Sequence, residues 1–312
     1  AASDVYKRQV VMILVRSSGE NMDNSTAPGE YALTDNEKAL LRALNRHFAK
    51  VVLVLNVGYP IAMDFADDIH VSAILYNGFG GMLAGQALLN VLAGRTTPSG
   101  RLTSTWAKTY DDLPSAGNFY DCYHNEMQRY TADFGPHLTT RYDEGVFMGY
   151  RYFVTRGRKS AFPFGYGLSY TTFTETVESV AYQENADAVV SVRVKNTGSC
   201  PGKRVVQLYV GKPRTTIDKP LRELVAFNKT ETLQPGEEQS LTLCVDGRCL
   251  DVFSAADQAY LLESGVYTLY LGEHGENVRE IGCFTVPATI VTRRTQVHMT
   301  VSYTHLRAHE TR

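Results

Sequence analysis

Residues 10–24 read VVMILVRSSGENMDN. The first six are apolar and largely β-branched, a run typical of a strand buried on both faces in a parallel sheet that helices cover. The chain then changes abruptly to polar, turn-forming residues, among them a glycine at position 19 that permits a tight turn. Because ligands of open α/β sheets collect beyond the carboxyl ends of the strands, Glu20 is the first candidate for a functional side chain.

Alternating strands and helices are predicted for the next part of the chain. Thr34 and Glu37 have the spacing of a capping box, in which each side chain bonds the other residue's backbone, and they open an amphipathic helix over residues 35–49. Apolar runs and helical spacing predict further elements: strands at 51–55 and 72–76, a short helix at 64–68, and a helix at 82–92 ended by Gly94. This order, with short links, favours an α/β layer architecture on a largely parallel sheet.

The second half of the chain has the pattern of antiparallel strands. From Phe173 onward, apolar and polar residues alternate in short runs separated by turns such as Asn196-Thr197-Gly198. The clearest runs lie at 190–194, 206–210, 224–227, 241–243 and 267–271. Several short strands with regular turn signals predict an all-β sandwich.

Both ends of the chain look foreign to the rest. Residues 1–9 and 301–312 resemble translated sequencing-adapter sequence, so we exclude them from fold reasoning. We expect the remainder to be a fragment of a longer open reading frame, incomplete at its N-terminus.

Composition argues against several kinds of partner. Lys and Arg number 31 against 33 Asp and Glu, a formal net charge of −2 without a basic stripe, so no nucleic-acid partner is expected. No apolar run approaches the length of a membrane span, so no membrane is expected either.

Metal and cofactor sites are not expected. The five cysteines lack CxxC or zinc-ligand spacing, and reduced thiols are favoured, although Cys244 and Cys249 could pair across a turn. His70, His124 and His137 have no ligand partner at metal spacing.

Six motifs in a fixed order resemble glycoside hydrolase family 3. They are SSGENMD at 17–23, TDNEKALLRAL at 34–44, VVLVLNVGYPI at 51–61, LAGRTTPSGRL at 92–102, YDEGVFMGYRYF at 142–153 and FPFGYGLSYTTF at 162–173. Residues 217–243, IDKPLRELVAFNKTETLQPGEEQSLTL, resemble the fibronectin type III-like domain that follows in many β-glucosidases of this family.

The resemblance implies a retaining β-glycosidase in which an upstream (β/α)8 barrel carries the nucleophilic aspartate. That missing barrel is the expected partner, and a β-glucoside or oligosaccharide is the expected substrate. The implied fold class is an α/β sandwich with a largely parallel sheet, incomplete at its N-terminus, followed by an all-β fibronectin type III-like (immunoglobulin-like) sandwich. The predicted segments are 1–9 adapter-like, 10–135 α/β sandwich domain, 136–172 connector, 173–288 fibronectin type III-like domain, 289–300 tail and 301–312 adapter-like.

In this branch of the family the acid/base glutamate lies in a Ser-Gly-Glu-Gly-x-Asp-Arg pattern, which falls on residues 18–24. The pattern is matched at Ser18, Gly19, Glu20 and Asp23, whereas asparagines replace the second glycine and the arginine. The resemblance therefore implies Glu20 as the catalytic acid/base and Asp23 as a substrate-binding residue.

The chemistry also constrains where Glu20 works. A retaining glycosidase uses two carboxyl groups about 5–5.5 Å apart, and the acid must hold its proton near neutral pH. A glutamate in a solvated loop would titrate at about 4.3. We therefore expect Glu20 to work only when docked against the barrel, and this chain alone to be inactive.

Other candidate residues have plainer explanations. Asp143 and Glu144 are adjacent in an extended segment and point to opposite sides, which favours a structural role. Trp106 and the tyrosines of residues 120–130 could stack on a sugar, but packing is favoured. The glycines at 78, 80 and 81 lack a nucleotide-binding pattern.

A β-glucosidase is the favoured function. The alternatives are a β-xylosidase of the same family, a non-catalytic carbohydrate-binding or interaction module in the β-sandwich, and a degenerate, non-hydrolytic paralogue. The sequence leaves open whether the barrel precedes or follows this chain, the oligomeric state and the compartment, with a cytoplasmic location favoured over secretion.

Overall fold

The computed structural model describes residues 9–17, 24–118, 142–183 and 186–295. The chain divides into two compact units, residues 1–171 and 172–312, and each has its own hydrophobic core. Among the described residues, no helix is long and apolar enough to cross a membrane.

A three-stranded parallel sheet forms the centre of the first unit. Its strands are β1 (Gln9–Val15), β2 (Lys50–Asn56) and β3 (Ala73–Tyr76), with β2 in the middle. Both strand pairs run parallel. The prediction of a largely parallel sheet therefore holds for this sheet alone. The other three sheets of the described residues lie in the second unit and are antiparallel.

The described residues form four α-helices, all in the first unit: α1 (Asp35–His47), α2 (Phe65–Asp68), α3 (Ala84–Leu92) and α4 (Tyr150–Arg156). The predicted capping box of α1 is confirmed, since the Thr34 hydroxyl accepts a hydrogen bond from the Glu37 N–H at 3.1 Å and the Glu37 carboxylate accepts one from the Thr34 N–H at 2.8 Å. Gly94 follows α3 with a φ of +70°, the left-handed conformation that favours glycine.

The environment of β1 differs from its prediction. Leu14 packs with Leu41 of α1 in the core, whereas Val11, Ile13 and Val15 on the opposite face are 41%, 56% and 56% exposed. The expectation of a strand buried on both faces is wrong, because the described part of the chain covers only one face of β1.

The segment 136–172, predicted as a connector, packs within the first unit where it is described. The backbone N–H of Trp106 donates to Phe162 O at 2.8 Å, and that of Leu102 donates to Tyr166 O at 2.9 Å. The aromatic and glycine-rich motif is therefore part of this unit's fold, because its backbone groups find their partners there.

The second unit consists of ten antiparallel strands among the described residues. They are β4 (Phe173–Tyr182), β5 (Ala188–Asn196), β6 (Val205–Gly211), β7 (Glu223–Lys229), β8 (Glu238–Val245), β9 (Val252–Ser254), β10 (Ala259–Leu262), β11 (Gly265–His274), β12 (Asn277–Val286) and β13 (Ile290–Arg294). They form sheets of order β12-β11-β6-β7, β4-β5-β8 and β13-β10-β9.

The core of the second unit follows the predicted alternation. Val190, Val192 and Val194 of β5 are fully buried, and so are Leu208 and Val210 of β6. Alternate residues of strands from two sheets thus share one core, as expected for a β-sandwich.

Residues 289–300, predicted as a tail, include a strand. β13 pairs antiparallel with β10, which lies between β13 and β9. This pairing satisfies a sheet edge that would otherwise be open.

Candidate active site

Glu20 and Asp23 lie outside the described residues, which stop at Ser17 and resume at Asn24. The surroundings of the candidate site are therefore built from the residues that flank this interval. Residues 18–23, where the sequence motif predicts the acid/base glutamate, are called the acid/base segment.

The acid/base segment is preceded by a buried arginine. Arg16 comes directly after β1, and its backbone N–H donates to Asn56 O of β2 at 3.4 Å. Its side chain is only 6% exposed. A charged group is rarely so buried unless it is paired.

Each guanidinium nitrogen of Arg16 has an acceptor. The two terminal nitrogens donate to the two carboxylate oxygens of Glu37, at 2.8 and 2.7 Å, in the forked geometry that makes arginine–carboxylate pairs strong. Nε donates to Glu30 O at 3.0 Å, and Nη1 also donates to Val15 O at 2.9 Å. The side chain thus joins the end of β1, helix α1 and the loop that contains Glu30.

Glu37 serves both the helix and the arginine. Burial alone would raise its pKa, but hydrogen bonds from Arg16 and Thr34, together with the positive charge of Arg16, hold the pKa of Glu37 below its ordinary value. The carboxylate therefore stays ionised at neutral pH. It lies in the first turn of α1, where the helix dipole favours a negative charge.

Glu30 binds the chain on the far side of the acid/base segment. Its carboxylate accepts a hydrogen bond from the backbone N–H of Ser25, and Ser25 O accepts one from the backbone N–H of Tyr31 at 3.3 Å. Because Glu30 O also accepts from Arg16, the chain on both sides of the segment is bonded to the same residue.

The hydroxyl of Tyr59 lies near this cluster and has no hydrogen-bond partner among the described residues. Burial is the main cause that raises the pKa of Tyr59, while the charge of Arg16 lowers it and that of Glu30 raises it. A buried hydroxyl without a partner is costly. Tyr59 therefore offers an unused polar group near Arg16.

The carboxyl ends of all three parallel strands carry polar side chains. Arg16 comes after β1, Asn56 ends β2 and Asn77 comes after β3, and Asn77 Nδ2 donates to Asn56 Oδ1 at 3.1 Å. This is the edge at which α/β sheets bind ligands. From the sequence we singled out only Glu20 here, although a polar residue directly after each apolar run was the available signal.

The other candidates in the first unit have structural partners. Trp106 is 2% exposed, and its ring meets that of Tyr76 edge-on at 5.2 Å, so it belongs to the core. Glu144 accepts a hydrogen bond from Asn118 Nδ2 at 3.2 Å.

His70 is exposed, and the described ranges contain no group of three metal-binding side chains. His124, His137 and the tyrosines of 120–130 lie outside those ranges. Cys200, Cys244, Cys249 and Cys283 are free thiols.

The second unit contains a groove of about 720 Å³, lined in part by Asp187, Asp246, Arg248, Leu262 and Thr292. None of the described residues that line it is aromatic. Asp187 accepts the backbone N–H of Gly247 at 2.7 Å, and hydrogen bonds from Arg248 lower the pKa of Asp246 to about 2. Among the described lining residues, both carboxylates are engaged within the chain and none offers a ring for stacking, so this groove gives no support to the sugar-binding alternative.

Comparison with known proteins gives two family matches. Residues 1–170 match the glycosyl hydrolase family 3 C-terminal domain, and residues 204–275 match the fibronectin type III-like domain. The first match thus includes both the segment predicted as adapter-like at the start and most of the segment predicted as a connector.

Similar proteins carry the same description. The chain is 39% identical to a β-glucosidase of Ruminococcus albus over 289 residues, which cover 90% of this chain and 28% of that protein. It resembles the structure of a Paenibacillus barengoltzii β-glucosidase with a TM-score of 0.85 at 34% identity, covering 95% of this chain and 32% of the other.

A third similarity is to β-glucosidase 3B of Thermotoga neapolitana in complex with α-D-glucose, with a TM-score of 0.82 at 32% identity. It covers 94% of this chain and 39% of the other. The chain therefore spans well under half the length of each of these proteins. It belongs to glycoside hydrolase family 3, with a family 3 C-terminal domain and a fibronectin type III-like domain.

Proposed function

We propose that this chain supplies the general acid/base of a retaining β-glucosidase, with Glu20 as the proton donor and Asp23 as a substrate-binding residue. Family membership and the matched Ser18-Gly19-Glu20 motif support this proposal. The observation that carries it is the anchoring of Arg16 at the carboxyl end of β1, directly before the acid/base segment, since this edge is where α/β sheets gather ligands.

The proposed reaction follows the two-step scheme of retaining glycosidases. A carboxylate nucleophile attacks the anomeric carbon while Glu20 protonates the leaving oxygen, and Glu20 then removes a proton from the water that hydrolyses the glycosyl-enzyme. The similar β-glucosidases are much longer than this chain. We therefore assign the nucleophile to a (β/α)8 barrel in the part of a longer protein that this chain does not include.

The uncovered face of β1 supports the proposal that this chain is part of a larger protein. Val11, Ile13 and Val15 present adjacent apolar side chains to solvent. A contiguous exposed apolar surface marks an interaction site. We assign this face to a further layer that completes the α/β sandwich of the first unit in the longer enzyme.

The test is a chimera in which residues 10–295 of this chain replace the aligned segment of the Ruminococcus albus β-glucosidase. We expect it to hydrolyse cellobiose and aryl β-glucosides faster than the matching xylosides, whereas the isolated chain hydrolyses neither. Glu20→Ala should lower kcat/KM for cellobiose by about 100-fold or more, the usual contribution of general acid catalysis. Azide should restore turnover of a dinitrophenyl glucoside, which needs no protonation to leave.

A matched control replaces an exposed carboxylate elsewhere. Glu231 in the second unit is 85% exposed, and Glu231→Ala should leave both substrates unaffected. Wild-type activity in the Glu20→Ala chimera would remove Glu20 from the mechanism. A folded chimera without any glycosidase activity would make this chain a non-hydrolytic member of the family.

A further inference from the structure

We infer that the second unit has a sugar-binding surface on its small sheet β13-β10-β9, formed by Phe253, Tyr260 and Arg293 and suited to a β-linked glucan chain. These three side chains are called the aromatic row. They include none of the residues that line the groove described above. The inference needs neither Glu20 nor a barrel domain, so it goes beyond the proposed function.

Strand pairing brings the three side chains together. Tyr260 of the central strand β10 lies opposite Phe253 of β9 on one side and opposite Arg293 of β13 on the other. Directly opposed residues of antiparallel strands have their side chains on the same face of the sheet. Because neighbouring strands lie about 4.8 Å apart, the aromatic row extends about 10 Å across the sheet.

The aromatic row lies on the solvent side of this sheet. Phe253 is 44% exposed, and Arg293 is exposed as well. Ser254 and Ala259, which adjoin the row along β9 and β10, are 5% and 0% exposed. Successive side chains of a strand point to opposite faces, so the buried residues face inward and the row faces water. Since β9 is an edge strand, no further strand of this sheet covers the side of Phe253 away from Tyr260.

Contacts within the row hold its members in place. The ring centroids of Phe253 and Tyr260 are 5.3 Å apart with the planes inclined at 56°, and Arg293 Cζ lies 3.9 Å from the Tyr260 centroid. A guanidinium stacked on a ring keeps its N–H donors free, because they lie in its own plane. Among the described residues, neither Arg293 nor the Tyr260 hydroxyl has a hydrogen-bond partner. The row thus offers fixed ring surface beside unused polar groups.

A β-linked glucan chain matches both features. Its pyranose rings have apolar C–H faces that pack against an aromatic ring, as at Phe253. Its hydroxyls accept hydrogen bonds from a guanidinium and both donate to and accept from a phenol. A chain lying across the row places one sugar on Phe253 and the hydroxyls of the next at Arg293. The chain also belongs to a glycoside hydrolase family in which similar proteins are β-glucosidases.

Other partners fit this surface less well. Stable protein–protein interfaces bury about 800 Å² on each partner, far more than three side chains offer. Single-stranded nucleic acid also stacks on aromatic rings, but it needs a positively charged groove along its backbone. The formal net charge of this chain is −2, without a basic stripe.

The experiment is affinity electrophoresis of the 312-residue chain in native gels that contain soluble mixed-linkage β-glucan. We expect the wild type to be retarded by the β-glucan and not by pullulan, an α-linked glucan without extended flat faces. Phe253→Ala should lower the association constant about 10-fold, since it removes the exposed ring. Tyr260→Ala should lower it at least as much, because it also releases Arg293. Arg293→Lys keeps the charge and loses the stacked fork, so a loss of about 3-fold is expected.

The matched control is an isolated ring in the same unit. Phe227 of β7 is 70% exposed and has no ring or cation contact among the described residues. Phe227→Ala should therefore be retarded as strongly as the wild type. Circular dichroism checks that each variant is folded, and if Tyr260→Ala is not, the exposed positions Phe253 and Arg293 decide.

Each outcome supports or overturns the inference. Weaker retardation in the folded row variants, with wild-type retardation in Phe227→Ala, supports it. An unretarded wild type overturns it, and so does retardation that the row variants retain or that Phe227→Ala loses equally. A wild type that binds a single-stranded oligothymidylate in place of the glucan makes the row a nucleic-acid site and overturns it too. None of these outcomes bears on the role proposed for Glu20, which hydrolysis by the chimera tests separately.

Discussion

The two units of this chain bury their apolar residues to different extents. In the second unit, alternate residues of β5 and β6 meet in a shared core, with Val192 and Leu208 fully buried. In the first unit, β1 has apolar residues on both faces, yet Ile13 is 56% exposed, and helix α3 contains no buried residue. The alternating residues of β5 and β6 are thus buried as their pattern predicts, whereas one apolar face of β1 is uncovered among the described residues.

This difference between the units indicates which of them holds the candidate functional site. In the groove of the second unit, Asp187 accepts the Gly247 N–H and Asp246 pairs with Arg248, so these two carboxylates are engaged within the chain. The first unit has polar side chains at the carboxyl ends of its parallel strands and an uncovered apolar face on β1. These features are expected of a domain that binds a ligand and packs against another domain. The ion pair of Arg16 and Glu37, whose side chains are 6% and 23% exposed, lies at that edge.

Substitutions in the two hydrophobic cores should have the largest effects on the free energy of unfolding. They test whether each unit is stabilised by its own core. Leu53 and Leu208 are both fully buried, one in each unit. We expect Leu53→Ala and Leu208→Ala each to lower the free energy of unfolding of its own unit by about 3 kcal/mol, through lost burial and a remaining cavity. The chain's single tryptophan, Trp106, lies in the core of the first unit, so its fluorescence reports that unit.

In urea titrations, Leu53→Ala should therefore shift the fluorescence transition. Leu208→Ala should shift the circular dichroism transition, because most strands lie in the second unit. An equal shift of the fluorescence transition in Leu208→Ala would show that the two cores unfold as one.

An intermediate effect is expected for Glu37→Gln, which loses a charge-assisted pair with Arg16. The cost should be about 2 kcal/mol at neutral pH, as for a hydrogen bond to a charged group. Because the pKa of Glu37 is lowered in the folded state, its stabilisation is present above the unfolded-state pKa and is lost as the pH falls through the folded-state pKa. The difference between wild type and variant should thus shrink in acid, as measured by Trp106 fluorescence in urea.

The exposed counterpart in the second unit is Glu238. The hydrogen bond and charge of Lys195 lower the pKa of Glu238, but its carboxylate faces water and solvent screens the pair. Glu238→Gln should therefore change stability much less than Glu37→Gln. Equal effects of the two variants would contradict the distinction between a buried edge in the first unit and a solvated surface in the second.

The smallest effect in the isolated chain should come from Ile13→Asp. Ile13 is more than half exposed, so the substitution should change the free energy of unfolding by less than about 0.5 kcal/mol. In the chimera the same change should be strongly destabilising, because a covering layer would bury the charge without a partner. Thermal unfolding of both proteins measures this contrast, and equal, small changes in both would show that the face stays uncovered in the larger enzyme.

The sequence predicted the positions of helices and strands better than the tertiary contacts that these elements make. Helix α1 and its capping box were predicted, because Thr34 and Glu37 are neighbours within one turn. The pairing of Glu37 with Arg16, 21 residues earlier, was missed, because no local pattern indicates which buried charges meet. The strand β13 was missed for a similar reason, since its pairing with β10 is decided by a free sheet edge.

The sequence by itself determined the family, much of the strand and helix pattern, and the motif that makes Glu20 the candidate acid/base, which stays a prediction. These depend on short-range spacing, where each residue's neighbours along the chain set its conformation. Only the tertiary structure decided which face of β1 is covered, that the aromatic segment after residue 142 packs into the first unit, and that Arg16 joins both flanks of the acid/base segment. Those depend on contacts between residues far apart in the chain, whose burial and charge pairing are fixed only when the whole unit has packed.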